Sequence, residues 1–265
     1  MSGLEASHIA IGYGHKPVIH DLTLPPLARG SITALIGPNA AGKSTLLRGL
    51  AGLEPMQGTL HLDDADLAAT SRRERAKRIA YMPQALPAAI ALTVLEAVVG
   101  ALRAAVANGD AAHTQDHLRR AYDVLDSIGI ADLAMRSLTE LSGGQRQLAS
   151  LAQAIVRAPE VLLLDEPTSA LDLRYQMRVM DCTKALARER NMIVVAVLHD
   201  ISLAARYADQ VAVLSAGRLV GFGAPSEAIT SDMLAEIYGV RARVGTCELG
   251  TLQIIVDGAD FTARV

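Results

Sequence analysis

The sequence predicts an α/β fold in which a mainly parallel sheet is flanked by helices, with an N-terminal antiparallel β subdomain and an inserted helical subdomain. Three observations predict it. Strand-sized apolar runs alternate with helical stretches through the second half of the 265 residues, the pattern of parallel strands covered on both faces. Residues 31–36 read as a buried strand that passes through a glycine-rich turn into a helix at 46–50, giving strand, loop and helix in order. Between Thr93 and Gly129 β-branched residues thin out and the apolar spacing becomes helical.

Each element has its own signal. Residues 1–30 read as short strands around the turns Gly12-Tyr13-Gly14 and Pro25-Pro26, and 59–62 as a strand after the turn at 55–58. A short basic helix at 72–78 leads into a strand at 79–82. Strands return at 161–164, 192–198 and 211–214, separated by helices at 173–188 and 201–207. The last part carries a hairpin around Ala216-Gly217, a helix near 232–238 and two strands flanking Gly250. No internal repeat or low-complexity linker divides the chain. It therefore reads as a single domain, 1–265, with the helical subdomain at roughly 86–158 inserted in the core.

Composition excludes several classes. At 51% hydrophobic and 20% charged residues the chain is long and apolar enough to bury a real core. A net charge of −3 gives no support for nucleic acid as a partner. Residues 1–5 lack the basic flank and apolar run of a secretory signal. The Ala-rich stretch at 87–107 is interrupted by Glu96 and Arg103, so no membrane span is expected. Cys182 and Cys247 match no metal spacing and read as reduced thiols.

The turn after the strand at 31–36 fills the pattern G-x-x-x-x-G-K-[ST] with Gly37-Pro38-Asn39-Ala40-Ala41-Gly42-Lys43-Ser44, followed by Thr45. Glycines let successive N–H groups curl toward an anion, and the following helix aims its positive end at the same spot. Lys43 brings a full charge to the β- and γ-phosphates of a nucleotide. Ser44 offers a hydroxyl to Mg²⁺, and Thr45 extends the phosphate contacts. A second constellation closes the strand at 161–164 with Asp165 and Glu166. Buried parallel strands deliver their C-terminal ends to the ligand crevice, so Asp165 reaches the metal. Glu166, one residue on, faces elsewhere and suits a base that polarises an attacking water.

About a hundred residues after the first loop stands Leu141-Ser142-Gly143-Gly144-Gln145. Ser142 caps the next helix and the two glycines expose N–H groups, making a second anion-binding helix N-terminus. With these motifs in this order, the chain resembles the nucleotide-binding subunit of an ABC transporter over nearly its whole length, and the LSGGQ pentapeptide is that family's diagnostic element. The resemblance implies ATP and Mg²⁺ as cofactors and a homodimer in which each LSGGQ segment faces the γ-phosphate held by its partner's phosphate loop. It also implies a role for Gln84 at the metal and the lytic water, for His199 at the γ-phosphate beside the glutamate, and for Asp172 at the dimer interface. Tyr13 matches the family's adenine-stacking aromatic; a half-buried tyrosine in a turn is its plainer reading. Ala40 departs from the family, which usually has glycine there, and implies a slightly altered loop with ATP binding kept.

Further implications concern transport. Residues 92–98 are similar to importer ATPases, where a groove beside Gln84 receives a permease helix, and they also read as a core helix. The segments 197–209 and 237–244 look like the ATPases of ferric-siderophore, haem and cobalamin importers. Because the approach at 156–160 looks less like the haem subset, ferric siderophore is the first expectation. Integral-membrane permease subunits, a periplasmic or surface binding protein reached indirectly, and a peripheral place on the cytoplasmic face of the membrane follow. Two rival classes are a soluble ABC ATPase outside transport and a regulatory module that holds ATP without cleaving it; the intact Glu166 and His199 speak against the second.

Overall fold

A computed structural model describes residues 3–14, 16–84, 91–104, 114–248 and 250–259. Parts of the Ala-rich stretch at 87–107 and of the expected helical subdomain at 86–158 lie outside the described residues. In chain order the elements are β1 (Gly3–Tyr13), β2 (Lys16–Ala28), β3 (Ile32–Ile36), α1 (Lys43–Leu50), β4 (Gln57–Leu62), β5 (Ala65–Asp66), α2 (Arg72–Arg78) and β6 (Ile79–Met82). Then come α3 (Val94–Arg103), α4 (Thr114–Ser127), α5 (Gly143–Ile155), β7 (Val161–Asp165), α6 (Leu173–Glu189), β8 (Ile193–Val197) and α7 (Ile201–Tyr207). The chain closes with β9 (Gln210–Ser215), β10 (Arg218–Gly223), α8 (Pro225–Ala228), α9 (Ser231–Tyr238), β11 (Val240–Thr246) and β12 (Leu252–Ala259).

A six-stranded sheet in the order β10-β9-β3-β8-β7-β6 forms the centre. Its strands run parallel except β10, which returns from β9 as a hairpin. Successive residues of β7 point to opposite faces, and the core divides accordingly. Leu162 and Leu164 pack with α3 to α7, while Val161 and Leu163 pack with α1 and the N-terminal strands. Both faces are covered, as the alternating pattern of strands and helices requires. The order also places the C-terminal ends of β3 and β7 on either side of β8. Those are the two ends that carry the phosphate loop pattern and the paired acids.

The N-terminal strands form a separate four-stranded sheet, β2-β1-β4-β5, with antiparallel pairings. Here one expectation fails. Pro25 and Pro26 do not make a turn; they lie inside β2, a single long strand. Proline removes a ladder donor, yet β2 is an edge strand and its pairing with β1 shifts register between Leu27 and Leu24, which absorbs the two rings. Other boundaries moved by a residue or two, as at Met192 and Leu198, which flank β8.

Candidate nucleotide site

The phosphate loop is built between β3 and α1. Lys43, only 6% exposed, opens the helix, and its Nζ donates to the carbonyls of Gly37 at 2.7 Å and Pro38 at 2.8 Å. Burial lowers its pKa, while the charges of Glu166 and Asp165 push it back up. Gly42 precedes the helix with φ 96°. Ala40 sits at φ 62°, in the left-handed region where a Cβ costs about 1 kcal/mol or more. Alanine thus holds, under strain, a conformation that glycine adopts freely.

The hairpin turn between β9 and β10 braces this loop. Gly217 donates to the Ala41 carbonyl at 3.1 Å and accepts from the His20 N–H at 3.0 Å. Its φ of 73° and its contact with the Val18 carbonyl leave no room for a side chain. Lys16, Pro17, Val18, His20, Ala216 and Gly217 thereby join residues 39–45, Glu166 and His199 around a cleft of about 510 Å³. That size suits a small-molecule ligand. None of the six was found from sequence, because each arrives through pairing distant in the chain.

At the end of β7 the two acids separate as expected. Asp165, 3% exposed, accepts from the Ser44 hydroxyl at 2.8 Å on one oxygen and from the Tyr81 hydroxyl at 2.9 Å on the other. Burial pushes the Tyr81 phenol up to about 12, so it stays protonated and donates. Glu166, at φ 51°, turns the other way. Its carboxylate meets His199 Nε2 at 2.6 Å and Gln84 Nε2 at 2.5 Å. β6 thus delivers Tyr81 to one acid, and the loop after it delivers Gln84 to the other. Tyr81 was missed; its position on the strand beside β7, two residues short of the acid, was the available signal.

Tyr13 is 45% exposed at the tip of β1, with its hydroxyl 3.4 Å from Thr45 Oγ1. The remaining expected residues lie elsewhere. Among the residues lining the cleft, none comes from 142–145 or 172. Ser142 caps α5 through a reciprocal pair, its hydroxyl accepting from the Gln145 N–H and the Gln145 side chain accepting from the Ser142 N–H. Gly143 is exposed, but Gly144 is buried, and a Cβ there would fall inside the Tyr175 ring. The pair of open glycines expected here is thus one open glycine and one packing glycine. Asp172 caps α6 by accepting from the Tyr175 N–H at 2.9 Å.

Oxygen donors at Ser44 and Asp165, 2.8 Å apart, fit a hard divalent cation. Among the described residues no three His, Cys, Asp or Glu side chains group around a common point. A magnesium ion there would need phosphate oxygens to complete its shell, the usual arrangement for a nucleotide site.

Comparison with known proteins agrees with this geometry. The sequence profile of the ABC transporter family matches residues 21–169. The hemin import ATP-binding protein HmuV of Bordetella pertussis is 39% identical over 250 residues, covering 91% of this chain and 94% of the relative. Its counterpart in Rhodococcus jostii is 37% identical over 241 residues, covering 89% and 80%. Among solved structures, one described as an inward-facing conformation of a metal-chelate type ABC transporter superposes with a TM-score of 0.82 at 28% identity, covering 99% of each chain. The dimeric structure of a bacterial ABC transporter cassette gives 0.73 at 25% identity, covering 84% of this chain and 98% of that one.

Proposed function

The chain belongs to the ABC transporter family of ATP-binding subunits, and from that premise we propose that it powers import of an iron chelate by closing and reopening as an ATP-bound homodimer. The observation that carries the catalytic part is Glu166, bonded to His199 and Gln84 in the same cleft as Lys43. In this reading residues 37–45 bind ATP, Tyr13 stacks on adenine, and Ser44, Asp165 and Gln84 hold Mg²⁺. The ion, when bound, neutralises charge on the β- and γ-phosphate oxygens. Glu166 accepts a proton from the attacking water, and His199 holds the carboxylate so that its free lone pairs face that water. Gln84 must release the second oxygen of Glu166 as water enters.

Residues 142–145 and 172 take part through a second copy. A helix N-terminus capped by Ser142 and presenting Gly143 lies outside this chain's own cleft, which suits a role at a partner's phosphates. Closure then requires two ATP molecules at the interface, and hydrolysis removes the charge that holds it. Support for a dimer comes from the dimeric cassette of matching fold. Size-exclusion of Glu166→Gln with ATP should give a dimer; a monomer at saturating ATP would count against the arrangement.

The names of the relatives favour haem among the three cargoes weighed, ahead of ferric siderophore and cobalamin. Among the described residues no helix is long and apolar enough to cross a membrane, so cargo passage is assigned to permease subunits, with this chain peripheral on their cytoplasmic side and a binding protein acting beyond them. Affinity capture from detergent extracts should recover a polytopic membrane protein, and proteoliposomes made from the captured complex should take up haem on addition of ATP. Capture of no membrane protein would favour a soluble ABC ATPase instead.

A further inference from the structure

Asp165 is held from two sides by two different elements. The Ser44 hydroxyl of α1 lies 2.8 Å from Oδ1, and the Tyr81 hydroxyl of β6 lies 2.9 Å from Oδ2. A carboxylate bonded at one oxygen still swings about its Cβ–Cγ axis; bonded at both, it is fixed. Tyr81 reaches it by simple register: it stands opposite Leu163 in the β6–β7 ladder, and Leu163 and Asp165 project from the same face. The Arg48 guanidinium acts on the same phenol: Tyr81 first, and Tyr13 after it, raise the Arg48 pKa. Because a guanidinium only donates, it does not compete for the phenolic proton, which goes to Asp165.

We propose that Tyr81 is a positioning residue for the metal site, fixing the Asp165 carboxylate so that Oδ1 faces Ser44 before nucleotide and metal arrive. The inference rests on the reading of Ser44 and Asp165 as the pair that holds Mg²⁺. Outer partners of ligating carboxylates typically contribute about 10-fold or more to metal affinity. Loss of the Tyr81 hydroxyl acts on the metal and leaves metal-free nucleotide binding alone, since that hydroxyl is directed to Asp165.

The test uses the full chain with a non-hydrolysable ATP analogue and Mn²⁺, followed by electron paramagnetic resonance. Tyr81→Phe should weaken Mn²⁺ binding roughly 10-fold, with analogue affinity in chelator unchanged. In ATPase assays the Mg²⁺ concentration for half-maximal rate should rise by a similar factor, with kcat recovered at saturating Mg²⁺. Asp165→Asn, run in parallel, should lose Mn²⁺ altogether. If it does and Tyr81→Phe matches wild type within twofold, or loses metal-free analogue binding by the same factor as Mn²⁺, the positioning role is overturned. If Asp165→Asn binds Mn²⁺ as wild type does, the underlying assignment of the metal pair fails instead.

Discussion

The two ends of β7 both carry acids, and they hold them in opposite ways. At the start, Glu160 is gripped by Arg78 and Arg29 at 2.5 Å each, and Arg29 also reaches Asp63 at 2.5 Å. At the finish, Asp165 is held by two hydroxyls and Glu166 by an amide and an imidazole. Pairing with Arg78 pulls the Glu160 pKa down against the opposing effect of burial, with Arg29 adding to the pull. Guanidinium pairs neutralise and lock a carboxylate. Hydroxyl and amide donors lock it and leave its charge. The contrast separates an acid tied into the fold by guanidinium groups from two acids that, in the proposed mechanism, serve a cation and a proton.

Exchanging partners at either end should show the difference. The largest effect is expected at Glu166: Gln there keeps the shape and removes the base, so steady-state ATP hydrolysis should fall by roughly 10²–10⁴ while analogue binding stays near wild type. Unchanged turnover would end the assignment of that residue. Glu160→Gln is the counterpart. It should leave ATPase rate within about twofold and lower unfolding free energy by about 1–2 kcal/mol at pH 7, a figure reduced for partial exposure of the pair. Because the folded-state pKa of Glu160 lies below its ordinary value of 4.5, this stabilisation is complete above that pH and is lost as pH falls through the folded value. Denaturant titrations of wild type and Glu160→Gln should therefore converge on acidification. A gap that widened would break the comparison.

The smallest effect concerns strain in the phosphate loop. Ala40→Gly should raise stability by less than about 1 kcal/mol, since relief of the left-handed conformation at φ 62° is offset by added unfolded-state freedom. ATP affinity should change less than tenfold, measured by fluorescence titration. A larger gain would show that alanine limits the loop in use.

What the sequence reveals follows how local the cause is. The phosphate loop is legible because one short segment supplies its anion-binding groups, and the end of β7 because a strand ending in two acids gains meaning beside such a loop. Ser142 is legible as a cap for the same reason, since it accepts from a backbone N–H three residues on; Asp172 makes the same kind of cap unannounced. Tyr81, His20 and Gly217 are silent in the sequence; their roles exist only through register between strands and through a hairpin that folds back on the loop. Pro25-Pro26 misled because a local rule for turns gives way at an edge strand with shifted register. Gly144 misled in the other direction, since its chemistry as an open N–H looked sufficient and its neighbour was not visible.

That neighbour makes Gly144 a gauge. Tyr175 presents its ring to the space where a Cβ would stand, and its N–H is the one that Asp172 caps. One tyrosine therefore ties two loops together, one through its ring and the other through its backbone. A single methyl at position 144 would meet that ring, so the ring or the helix start must give way.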